Sequence, residues 1–233
     1  MTAPHTMLIT GTSRGIGRHL AEHYAEQGHQ VVGCSRSEAT FSSDHYEHFQ
    51  LSVADEVAVK KMFAAIRKTH GTLDVLINNA AVATMNHVLL TPLPTAQEIF
   101  NVNIAGTFLL CREAARIMQK AGAGRIINFT SASTVLQLEG EAVYAASKAA
   151  VATLTQIMAR ELAAAGITVN AVGPGPIDTD MTKNIPADAL RHVIDRQAIR
   201  RMGTFADIAN VVDFLIRPES NFITGQVIYL GGV

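Results

Sequence analysis

A chain of 233 residues that is 48% hydrophobic and 17% charged has the composition of a folded protein with a full core, which excludes a disordered chain. Nineteen basic residues against twenty acidic ones leave a net charge of −1, so there is no overall field for nucleic acid or an anionic membrane. No apolar run approaches the ~20 residues that cross a bilayer. The cysteines, Cys34 and Cys111, lack metal or redox spacing, and Met1-Thr-Ala-Pro-His-Thr6 lacks a basic segment followed by an apolar one, so the expected setting is the reducing cytoplasm.

The first predicted element is an apolar strand over 7–10. It leads into Thr10-Gly-Thr-Ser-Arg-Gly-Ile-Gly17 and a helix over 15–27 that Gly28 closes. Gly11, Gly15 and Gly17 allow a tight turn and close approach of a ligand. The backbone N–H groups of Thr12, Ser13, Arg14 and Ile16 stand at a helix start that favours phosphate. The G-x-x-x-G-x-G spacing lacks the lysine of a P-loop. A turn that merely needs flexible residues is the alternative, and the position at the first strand-to-helix junction speaks against it. His19-Leu-Ala-Glu-His23 matches H-x-x-E-H, yet it lies on the helix that must pack on the sheet, and no third ligand is suggested; no metal is expected.

The second strand, 30–35, ends in Ser35-Arg36. A site for an unphosphorylated ribose carries an acid about 20 residues after the glycines, but here the nearest acid is Glu38. A guanidinium suits a 2′-phosphate through paired hydrogen bonds, so the predicted cofactor is NADP(H) in preference to NAD(H), with Arg14 approaching the same phosphate. Strands follow over 47–52 and 74–78, while His45 and His48 read as exposed residues of a polar stretch. The strand 74–78 runs into Asn78-Asn-Ala-Ala81, which sets polar side chains at the ligand edge. Asn103, early in an otherwise apolar helix, is either a structural hydrogen-bonder or a holder of ordered water.

The strand 125–131 closes on Ser131, whose hydroxyl can hydrogen-bond a carbonyl. Tyr144 and Lys148 stand four apart at the opening of a helix over 145–165, hence on one face. An ammonium beside a phenol stabilises the phenolate and eases proton transfer. Strands at 167–173 and 226–230 complete the pattern. This β-α-β rhythm predicts an α/β fold with a doubly wound parallel sheet, three-layered, with 1–233 as a single domain and ligands beyond the carboxyl ends of the strands.

In order and spacing, these motifs resemble the short-chain dehydrogenase/reductase family, in its compact single-domain branch with a Rossmann fold, over essentially the whole chain. Thr10 to Gly17 resembles its glycine motif, Asn78-Asn79-Ala80 its strand-end motif, and Asn103, Ser131, Tyr144 and Lys148 its catalytic four. Asn170-Ala-Val-Gly-Pro-Gly-Pro-Ile-Asp-Thr179 and Thr224-Gly-Gln226 look like two further signatures, and the run through Met181 is similar to 3-oxoacyl-(acyl-carrier-protein) reductases.

The resemblance implies NADPH-dependent reduction of a ketone to a secondary alcohol. Tyr144 would act as the acid, with Ser131 polarising the carbonyl. Lys148 would lower the tyrosine pKa and bind ribose, and Asn103 would hold a water for proton resupply. It places Pro174, Gly175, Ile177 and Thr179 at the nicotinamide, Ser52 and Val53 at the adenine, Asn79 and Ala80 at the ribose, and Ser133, Glu141 and Met181 toward the substrate. A homo-oligomer, dimer or homotetramer, is implied as well.

Gly122 and Ala165 stand where carrier-protein reductases present basic docking residues, and Glu141 replaces a neutral amide, which suits a polar or hydroxylated substrate. A substrate lid is expected over 181–203. Its five basic residues against two acidic ones would attract an anionic handle, or form a solvated face. A dehydrogenase of sugar- or polyol-type molecules and a non-catalytic nucleotide sensor are the alternatives.

Overall fold

The short apolar runs become seven parallel strands, each within two residues of its predicted position: β1 (Thr6–Thr10), β2 (Gln30–Ser35), β3 (Tyr46–Gln50), β4 (Val75–Asn78), β5 (Gly124–Phe129), β6 (Ile167–Gly173) and β7 (Val227–Tyr229). The computed structural model describes residues 4–179, 182, 185 and 187–233. All seven strands join one sheet in the order β3-β2-β1-β4-β5-β6-β7. The strand order reverses between β1 and β4, and a crevice opens beyond the carboxyl ends of the strands at such a switch point.

The helices are α1 (Gly15–Glu26), α2 (Glu56–His70), α3 (Leu93–Phe100), α4 (Thr107–Ala121), α5 (Ser133–Leu136), α6 (Ala142–Leu162), α7 (Ala187–Asp195) and α8 (Phe205–Ile216). Their ends follow local chemistry. The Asp55 carboxylate accepts the N–H groups of Val57 and Ala58 at 3.0 Å to start α2, and Thr204 with Asp207 makes a reciprocal capping box on α8. No described helix is long and apolar enough to cross a membrane.

Alternation along the central strands divides the core between the two faces of the sheet. Leu8, Val32 and Leu76 join Met62, Ile66, Leu110 and Met118 beneath α2 and α4. Met7, Ile9, Val31, Val75 and Ile77 join Leu20, Tyr24, Ile208 and Val212 beneath α1 and α8. Both faces of these strands are therefore covered, as near-continuous apolar runs require. The Tyr24 hydroxyl donates to Asp213 at 2.9 Å, pinning α1 to α8.

The structure corrects three readings. Helix α6 begins at Ala142, so Tyr144 sits in its first turn. Asn103 is not in a regular helix but in a π-helical turn, Asn101–Gly106, between α3 and α4. His48 does not lie in an exposed loop: it is a half-buried member of β3, and His45 just before that strand is half-buried too, its Nδ1 2.8 Å from Gln30. The period of two through Tyr46, His48 and Gln50 places these three on one face of β3.

Candidate active site

The glycine turn is built for close approach. Gly11 and Gly15 have φ of +75° and +58°, the left-handed region that favours glycine. A Cβ on Gly17 would collide with Asn79 Nδ2 and the Gly11 carbonyl. The N–H groups of Gly11 and Thr12 are consumed by the Cys34 carbonyl at 2.7 and 3.4 Å, and Thr12 is fully buried. The first turn of α1, by contrast, has no side-chain cap among the described residues and no acidic residue, a helix start that suits an anion. That cradle at Ser13 to Gly17 fits a pyrophosphate.

The loop after β4 is fastened to this turn. Thr10 Oγ1 accepts the N–H groups of Asn79 and Ala80 at 3.1 and 2.9 Å, and Asn79 Nδ2 donates to the Thr10 carbonyl at 2.8 Å. Thr179 lies on the other side, where a Cβ on Gly15 would meet its side chain at 3.6 Å. Val53 is buried against Gly106, and Ser52 Oγ accepts the Ala54 N–H at 3.3 Å as it turns toward α2. Beyond β2, Ser35 Oγ donates to the Ser37 carbonyl at 2.7 Å, and the exposed Arg36 guanidinium lies 3.7 Å from Glu98 on α3.

On the other side of the crevice, Thr130 N–H extends the sheet ladder to the Val172 carbonyl at 2.9 Å before the chain turns into α5. Ser131 Oγ accepts from Ser133 Oγ at 2.8 Å and from the Ser133 N–H at 3.2 Å. Both lone pairs are thereby engaged, and the one hydroxyl hydrogen of Ser131 is left to donate. It bonds the Tyr144 hydroxyl, which favours the phenolate. Burial outweighs that effect and, with the Glu141 charge opposing ionisation too, pushes the phenol up to about 12.

Lys148 lies almost wholly buried in the next turn, its Nζ donating to the Phe129 carbonyl at 2.8 Å and standing 6.0 Å from the Tyr144 ring centre. Burial pulls its pKa down to about 8, so the ammonium is held at a cost. Thr130 Oγ1 donates to the Lys148 carbonyl at 3.0 Å, which locks α6 to the end of β5.

Asn103 resolves as a brace. Its Oδ1 accepts the Val82 N–H at 2.9 Å, while Nδ2 donates to the Val82 carbonyl at 2.9 Å and to Ser147 Oγ at 3.0 Å. Ser147 in turn donates to the Tyr144 carbonyl at 2.7 Å. One amide thus joins the loop after β4 to the helix that carries Tyr144 and Lys148. Ser147 carries this link and was not singled out from the sequence, where it is one more small residue of an alanine-rich helix.

Glu141 immediately precedes α6. Burial raises its carboxyl pKa, and Oε2 is sealed from solvent without a hydrogen-bond partner among the described residues. Pro174 accepts the Ala132 N–H at 2.9 Å, and Ile177 is buried beside Gly203, with Gly175 in the loop between. Met181 lies outside the described residues, as does Lys183 of the expected lid.

The chain matches known proteins over nearly its full length. A family profile described as enoyl-(acyl carrier protein) reductase matches residues 11–232. The 3-oxoacyl-(acyl-carrier-protein) reductase FabG of Vibrio cholerae is 36% identical over 231 residues, covering 97% of this chain and 95% of that protein, and the FabG of Escherichia coli matches to the same extent. The FabG of Staphylococcus epidermidis is 36% identical over 235 residues. Among solved structures, ElxO with NADP bound superposes with a TM-score of 0.90 at 30% identity, covering 98% of this chain and 97% of that one. A tyrosine-to-phenylalanine variant of ElxO with NADPH bound gives a TM-score of 0.89 at 30% identity, covering 97% of each chain. With the glycine cradle, the serine–tyrosine–lysine cluster and these likenesses together, the chain belongs to the short-chain dehydrogenase/reductase family.

Proposed function

We propose that this protein is an NADPH-dependent oxidoreductase acting on CH–OH groups, which reduces the ketone of a 3-oxoacyl thioester to the secondary alcohol. One observation carries the reading. Ser131 has a single hydrogen, held by the Tyr144 phenol beside the buried Lys148, so the two hydroxyls lie within hydrogen-bond reach of each other and a carbonyl oxygen that enters there meets both as donors. The relatives named as 3-oxoacyl reductases and the NADP-bound neighbours support the same substrate and cofactor.

Bound at the cradle, the cofactor supplies a hydride to the carbonyl carbon. Ser131 donates to the carbonyl oxygen, and Tyr144 donates and then transfers its proton to that oxygen as charge develops. Lys148 stabilises the phenolate left behind and meets the ribose. The proton is replaced through water at the turn that carries Asn103. The N–H groups of Ser13 to Gly17 hold the pyrophosphate. Asn79 and Ala80 line the ribose, Ser52 and Val53 border the adenine, and Pro174, Gly175, Ile177 and Thr179 border the nicotinamide. Ser133, Glu141 and Met181 face the substrate, with 181–203 as the lid.

The acyl group is carried as a thioester of a soluble carrier protein or of coenzyme A, and the protein works in the cytoplasm as a homo-oligomer. Exposed Phe100, Phe108 and Ile157 on α3, α4 and α6 support a helical interface between copies. Assay of NADPH oxidation with a 3-oxoacyl-coenzyme A and, in parallel, a 2-enoyl-coenzyme A tests the reading. Turnover with the first alone is expected; turnover with the second alone would replace ketone reduction by alkene reduction.

Arg36→Ala is expected to raise KM for NADPH about tenfold or more, through loss of a charge-assisted contact, with far less effect on NADH. Equal losses would remove the 2′-phosphate from Arg36. Glu141→Gln deletes a charge that holds the Tyr144 phenol up, so alcohol oxidation, which needs the phenolate, is expected to gain rate at lower pH than in the wild type. A pH–rate profile of alcohol oxidation checks it; no shift, or a shift to higher pH, would contradict the coupling.

A further inference from the structure

Strand β3 carries a side-chain cluster that hydride transfer does not use. His48 Nδ1 lies 2.7 Å from the Tyr46 hydroxyl and 3.5 Å from Thr12 Oγ1, and the Tyr46 hydroxyl lies 2.8 Å from Thr12 Oγ1. On its other edge, His48 Nε2 is 3.0 Å from the Ser37 carbonyl and 3.3 Å from Ser35 Oγ. A carbonyl only accepts, so Nε2 carries a hydrogen toward Ser37, while the Tyr46 hydroxyl donates to Thr12 Oγ1. Two residues along the strand, Gln50 Nε2 donates to the Arg36 carbonyl at 3.0 Å.

The carbonyls of Arg36 and Ser37 are therefore both held from β3, and Ser35 holds the second of them again at 2.7 Å. Thr40 Oγ1 ties the same loop to the Ser13 carbonyl of the glycine turn at 2.9 Å. The room for this cluster comes from Gly33 on β2: a Cβ there would fall onto the Tyr46 hydroxyl and within 2.6 Å of Thr12 Oγ1. Tyr46, His48 and Gly33 thus fit one another, and the group they serve is the turn that displays Arg36.

We propose that His48 and Gln50 are positioning residues for recognition of a ribose 2′-phosphate, holding the turn after β2 so that the Arg36 guanidinium meets the phosphate. The inference rests on the NADP(H) reading above. Arg36 is exposed, and its ion pair with Glu98 is a long surface contact at 3.7 Å that does little to fix the side chain's position. The backbone beneath it does, through three hydrogen bonds to two consecutive carbonyls.

The experiment compares KM and kcat for NADPH and for NADH, with one ketone substrate, in His48→Leu, His48→Gln and Gln50→Leu. Loss of the bonds that hold the turn is expected to raise KM for NADPH about fivefold to tenfold in His48→Leu, with kcat and the NADH constants unchanged. Gln50→Leu, at an exposed position where folding is not at stake, is expected to act in the same direction. His48→Gln keeps an N–H for the Ser37 carbonyl and is expected to recover most of the loss. Equal effects on both cofactors, an unchanged KM for NADPH, or His48→Gln as impaired as His48→Leu would overturn the proposal. If Arg36→Ala changes the NADPH-to-NADH ratio while the β3 variants do not, only the positioning role fails. If Arg36→Ala leaves that ratio unchanged, the NADP(H) reading fails with it.

Discussion

Tyr144→Phe is expected to lower kcat for ketone reduction by about 10³-fold and to leave NADPH binding largely intact, because it deletes the transferred proton and little else. The phenyl ring keeps its place in the first turn of α6, and Ser131 keeps its hydrogen for the carbonyl oxygen. Substrate is still polarised, but the phenolic proton that neutralises the alkoxide is gone. Titration of cofactor fluorescence and steady-state turnover on the same preparation separate the two effects. Near-normal turnover would mean that the proton comes from another group and that the role assigned to Tyr144 is wrong.

Lys148→Met is expected to cost about 10²–10³-fold in kcat and at the same time to stabilise the protein without cofactor at neutral pH. The ordinary lysine value is ~10.4, whereas burial brings that of Lys148 down to about 8. Between those values the unfolded chain holds a proton that the folded chain has released, so stability rises with pH across the window. Below about 8 the folded state bears the full cost of a buried ammonium, on the order of 3 kcal/mol at ~1.4 kcal/mol per unit. The bond to the Phe129 carbonyl, worth about 1 kcal/mol, is lost in the variant.

The net gain of about 2 kcal/mol corresponds to a rise in Tm of about 4–8 °C for a chain of this size. Melts at pH 7 and pH 10 check the sign, since the advantage must shrink at the higher pH, where the wild-type lysine is neutral. A variant that melts at or below the wild type at pH 7 would contradict the cost assigned to the ammonium.

Why the wild type keeps that cost follows from the site. A charge placed where the phenolate forms is most effective where water is excluded, and the exclusion that strengthens it also penalises it at rest. The surrounding structure is fixed to bear it: Thr130 holds the Lys148 carbonyl, and Asn103 holds Ser147, which holds the Tyr144 carbonyl.

The strands and the order of the catalytic groups were legible in the sequence because they rest on local pattern. Apolar runs such as 7–10 and 167–173 are buried on both faces, and Ser131 follows directly from the end of such a run. Tyr144 and Lys148 share a face because a helix repeats every 3.6 residues. What remained hidden depends on which segments meet in space. That Asn103 spends both amide hydrogens on Val82 and Ser147 requires a π-helical turn, which no periodicity announces. His48 read as exposed because its neighbours are polar; its partners Thr12, Ser35 and Ser37 come from other parts of the chain. Glu98 reaches Arg36 from a helix more than sixty residues away in sequence.

Delivery of hydride to a ketone carbon in this crevice, with Tyr144 protonating the oxygen, is tested by turnover of a 3-oxoacyl-coenzyme A with NADPH carrying deuterium at the transferring position, followed by mass and proton spectra of the product. The expected product is the 3-hydroxyacyl thioester with one deuterium on the carbinol carbon, formed by the wild type and not by Tyr144→Phe. A product without deuterium at that carbon, or one formed equally by the variant, would contradict the account.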